Sequence, residues 1–180
     1  MLPGDKKILA ELQPYITDSL VIHKTFVDKS GKNNLEIKVV NPCKRSENAE
    51  EKRVDGWLNY ISVRLSNKSF GDTLLYYNPY VAMSLIDLAE STIVVKAYSG
   101  KQAVFIPFAN CGNADDDRNI TYILLYNRKK YVYHIRLHGE NFENYTIKDN
   151  LTEKFKDLPA NLKKGFIQLV QSQYKNVIKK

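Results

Sequence analysis

The stretch WLNYISVRL, residues 57–65, decides the fold. Wound as a helix, it lines up Trp57, Leu58, Ile61 and Leu65. Stretched as a strand, it puts Trp57, Ile61, Val63 and Leu65 on one face, broken only by Asn59. The residues that follow choose between the two. SNKSFGD, residues 66–72, is rich in turn formers, and TLLYYNPY, residues 73–80, is a second aromatic, β-prone run. The pattern predicts a strand, a turn and a returning strand.

The same pattern recurs on both sides. Upstream, SLVIHKTF (19–26) and LEIKVV (35–40) flank a polar turn at 30–33. In the second run Leu35, Ile37 and Val39 share one face, Glu36, Lys38 and Val40 the other, and Pro42 closes it. Downstream, TIVVKAY and AVFIPF enclose Ser99-Gly100-Lys101, and ITYILLY and KYVYHIRLH enclose Asn127-Arg128-Lys129. Helices are expected at 6–13, ended by Pro14, and at 80–91, where Val81, Leu85, Leu88 and Ala89 have helical spacing. Two more are expected at 149–158 and 159–180. In the last, Leu162, Phe166, Leu169, Val170, Tyr174, Val177 and Ile178 form one apolar stripe. Tight turns cannot make the crossovers of a parallel sheet. The expected fold is therefore α+β: a single domain over 1–180, β-rich, built of antiparallel hairpins. It would be sandwich-like or a partial barrel, with a short N-terminal helix, one central helix and C-terminal helices.

Composition narrows the function classes. The chain has 180 residues, 43% of them hydrophobic, which suits a globular domain with a core. Lys and Arg exceed Asp and Glu by 27 to 20, a balance that suits an acidic protein surface or nucleic acid. From Glu153 onward seven lysines face two acids, so the C-terminal helix is expected to be basic. The twelve tyrosines suit half-buried strands and contact surfaces. Cys43 and Cys111 are too few for a disulfide scaffold and lack the paired spacing of a zinc site; a single bridge between them would need an oxidising compartment. No apolar run is long enough for a membrane-spanning helix. The N-terminus lacks a basic-then-apolar leader, so the expected compartment is cytoplasmic, with secretion the alternative if a leader was removed. Four Asn-x-Ser/Thr matches, at Asn67, Asn119, Asn144 and Asn150, are expected by chance in so Asn-rich a chain.

Three constellations could carry chemistry. Asp28, Glu36 and Lys38, with Glu11 upstream, supply two carboxylates and a lysine at the Glu-x-Lys spacing that shares a strand face. Over residues 11–38 this resembles the signature of the PD-(D/E)xK nuclease superfamily, which would imply magnesium and strand cleavage by those four residues. The absence of a Pro before Asp28 and the expected hairpin after the motif depart from that signature. His134, Arg136 and His138 alternate on one strand face, where imidazoles and a guanidinium can hold phosphate. Asn113, Asp115 and Asp117 alternate oxygens as calcium loops do, but lack the Gly and distal Glu of an EF-hand. No phosphate loop, nucleophile elbow or His-Glu-x-x-His occurs, so no cofactor and no assigned metal are expected. The reading that follows is a non-catalytic binding domain. It would present a Tyr-rich sheet surface and a basic C-terminal helix to an acidic partner through Arg128, Lys129, Lys130, His134, Arg136, His138, Lys163 and Lys164. The magnesium-dependent nuclease is the alternative.

Overall fold

A computed structural model describes residues 19–42, 59–77, 85–111, 118–138, 146–149 and 158–173. The chain divides into two compact units: Met1–Leu88 with Asn110–Asn113, and Ala89–Ala109 with Ala114–Lys180.

The first unit holds a four-stranded antiparallel meander in chain order: β1 (Ser19–Asp28), β2 (Gly31–Val40), β3 (Tyr60–Asn67) and β4 (Phe70–Tyr77). The predicted strand at residues 57–65 is confirmed from Tyr60 onward. Alternation does the work here. Ile22, Leu35, Ile37, Val39, Ile61 and Val63 are all at most 4% exposed and fall on one face by register. His23, Glu36 and Arg64 fall on the other face and are exposed. Among the charged residues that depart from the pattern is Lys24, half-buried, which lies on the core face between Ile22 and Phe26, opposite Leu35.

The turns are sharper than expected. β1 and β2 are joined by Lys29 and Ser30 alone, with Asp28 at the first position and Gly31 at φ 102° at the last. Asp28 Oδ1 accepts from the Ser30 amide (2.8 Å) and hydroxyl (2.6 Å), and glycine supplies the left-handed residue that realigns the strand. The β3–β4 turn reaches over to it. Asn67 Nδ2 donates to Ser30 Oγ and to Asn33 Oδ1, both at 3.1 Å, while Asn67 Oδ1 accepts from the Ser69 amide at 2.9 Å. Asn33, only 3% exposed, completes the network by donating to the Gly31 carbonyl.

The second unit is a sheet in the order β10 (Thr146–Asp149), β9 (Lys129–His138), β8 (Arg118–Tyr126), β7 (Lys101–Cys111), with β6 (Val94–Tyr98) also paired to β7. A helix, α1 (Ala160–Gln173), covers one face. Phe166 is fully buried and meets the rings of Phe105, Tyr122 and Tyr133 at 5.1–5.4 Å. Leu162 and Val170 extend the stripe one turn each way, as the spacing predicts. The helix is pinned at both ends. Asn161 Nδ2 donates to Ser99 Oγ at 3.0 Å. At the far end Gln173 accepts from Tyr122 Oη at 2.6 Å and donates to the Thr92 carbonyl at 3.0 Å. Gly165 faces the Tyr98 ring, which lies where a β-carbon would be.

The α+β expectation is corrected: the described residues are mostly antiparallel strand, with one α-helix. In the expected central helix, Leu85–Asp87 forms a short strand, β5, and Glu90–Thr92 a 3-10 turn. Ile86 and Leu88 are buried with half-buried Asp87 between them, and Ile86 bridges to Pro42 in parallel. A period of two therefore prevails over the helical spacing. The expected helix at 6–13, most of that at 149–158 and the end of α1 lie outside the described residues. Asp149 itself belongs to β10, a strand too short to show periodicity.

Candidate functional site

Charge locates the surface of interest. In the first unit Lys and Arg number twelve against eleven Asp and Glu, and in the second fifteen against nine. The basic surplus thus belongs to the second unit, and among its described residues Lys101, Arg128, Lys129, Lys130, Lys163 and Lys164 lie toward one end.

That end is made by two hairpin turns and the start of a helix. Tyr98–Lys101 is closed by Ser99 and Gly100, at φ 50° and 73°. Tyr126–Lys129 is closed by Asn127 and Arg128, at φ 52° and 60°. Both pairs of left-handed residues are the twist-matched form that tight hairpins favour. Because Ala103 pairs with Tyr126, the two turns are neighbours, and Lys101 Nζ donates to Asn127 Oδ1 at 2.7 Å. The Asn161–Ser99 hydrogen bond brings the first turn of α1, with exposed Lys164 and half-buried Lys163, to the same end. Arg128, Lys129 and Lys130 are all exposed.

Strand β9 carries the charge onward. Exposed His134 lies opposite Thr121, whose Oγ1 is 3.2 Å from the imidazole Nδ1. Arg136 occupies the register position between Asn119 on β8 and Lys148 on β10, and His138 lies opposite Thr146. The three residues alternate along one strand, as expected. Sequence reasoning missed Lys101 and Lys148. Lys101 was legible as the first residue after a two-residue turn, but Lys148 depends on a pairing that no local pattern shows.

The nuclease constellation is not brought together. Asp28 pairs with Gly31 at the hairpin tip and lies on the core-side face, whereas Glu36 and Lys38 fall on the other. Glu36 faces His23 instead, with Oε2 3.9 Å from Nδ1 on an exposed surface. Asp28 serves its turn. Partial burial raises its pKa, but hydrogen bonds from the Ser30 hydroxyl, the Ser30 amide and Asn33 outweigh this and hold the carboxyl below its ordinary value. Glu11, Asn113, Asp115 and Asp117 lie outside the described residues. Among the described residues, no group of three or more His, Cys, Asp or Glu gathers where a metal ion would be held.

Five of the twelve tyrosines are core residues, not surface ones. Tyr60, Tyr98, Tyr122, Tyr126 and Tyr133 are each at most 7% exposed, and all but Tyr60 pack beneath α1. Their rings supply the core, and burial raises the phenol pKa of Tyr98. Among the described residues, no helix is long and apolar enough to cross a membrane.

No protein-family model, curated protein or solved structure matches this chain.

Proposed function

We propose that this protein is a non-catalytic binding module. It engages an acidic partner through the basic end of its second unit: Lys101, Arg128, Lys129, Lys130 and Lys164, continued along β9 by His134. One observation carries the reading. The Ser99–Gly100 turn places glycine at its second left-handed position, where a side chain is costly. The neighbouring turn places Arg128 there, at φ 60°. Left-handed backbone costs a residue with a β-carbon roughly 1–2 kcal/mol, so the arginine occupies a place that stability alone assigns to glycine or asparagine. Such local conflicts mark functional positions.

The test separates stability from binding. Arg128→Gly relieves the strain and raises unfolding free energy by up to about 1 kcal/mol, after glycine's own entropic cost. The same change lowers the salt concentration at which the protein elutes from immobilised heparin. A wild-type chain that passes through heparin at ~50 mM salt refutes the reading.

A further inference from the structure

We draw no further inference here: the strongest candidate, the side-chain cluster of His23, Glu36 and Arg64 on the exposed face of the first unit's sheet, sets its one carboxylate between an imidazole and a guanidinium, and nothing in the structure shows what would cover it.

Discussion

Replacing Gly165 with alanine should destabilise the second unit, although alanine is the better helix former. In a helix interior the exchange alone stabilises by about 1 kcal/mol. Here the added β-carbon would lie 2.7 Å from Cζ of Tyr98, and closer still to Cε1 and Oη. Carbon contacts are optimal near ~3.5–4.0 Å, so the overlap is about 1 Å, against a ring with little room to move. Tyr98 is 7% exposed, rests edge-on against Phe105 at 6.1 Å, and its carbonyl accepts from Tyr126 Oη at 3.2 Å. Overpacking of this kind costs roughly 1–3 kcal/mol, leaving a net loss of about 1 kcal/mol after the helix gain. The discriminating measurement is a double-mutant cycle by urea unfolding. In a Tyr98→Val background the obstacle is gone, and Gly165→Ala should stabilise by up to about 1 kcal/mol. The sign therefore reverses between backgrounds. Equal effects in both, or stabilisation of the parent, would show that the ring and the helix do not press on one another.

Asn67 links the two hairpin tips of the first unit, and Asn67→Ala removes the donor to Asn33 Oδ1 inside a nearly buried network. A loss of about 1–3 kcal/mol is expected in chemical denaturation, with Asn67→Asp only partly rescuing because it keeps the Ser69 contact alone. Asp28 has a folded pKa below its ordinary 3.8, so its stabilising effect is present at neutral pH and is lost as pH falls through that lowered value. Asp28→Asn should cost less than about 0.5 kcal/mol at pH 7, since the group is largely solvated, and the penalty should vanish under strong acid. An undiminished penalty at pH 2 would assign the effect to turn geometry instead of charge.

The hairpins were legible because each joins two signals, a period of two and a short run of turn formers. At residues 60–77 the turn residues, not the ambiguous apolar run, decided correctly. The last helix was legible from Leu162, Phe166 and Val170. What local pattern could not show was the competition at residues 85–88, where Leu85 and Leu88 fit a helix while Ile86 and Leu88 fit a strand. The buried tyrosines were not legible for a related reason: an amphipathic ring suits a surface and a core equally, and only the position of α1 assigns Tyr122 and Tyr133 to the interior. Of the site, Arg128 to Lys130 could be read from the turn. The meeting of Lys101 with Asn127, and of Arg136 with Lys148, depends on long-range register.

Lys24 has a bearing on how the first unit behaves at high concentration. Among the described residues β1 has β2 as its strand partner and lies at an end of the four-stranded order, and an end strand is the kind of template on which a foreign strand can grow. Val21 and Val27, 45% and 69% exposed, would make that growth easier. A lysine placed on the hydrophobic side of such a strand opposes that growth, because inward-pointing charge disfavours the close packing of added strands. Lys24→Leu is therefore expected to make the protein more prone to form fibres at high concentration, which thioflavin fluorescence would read.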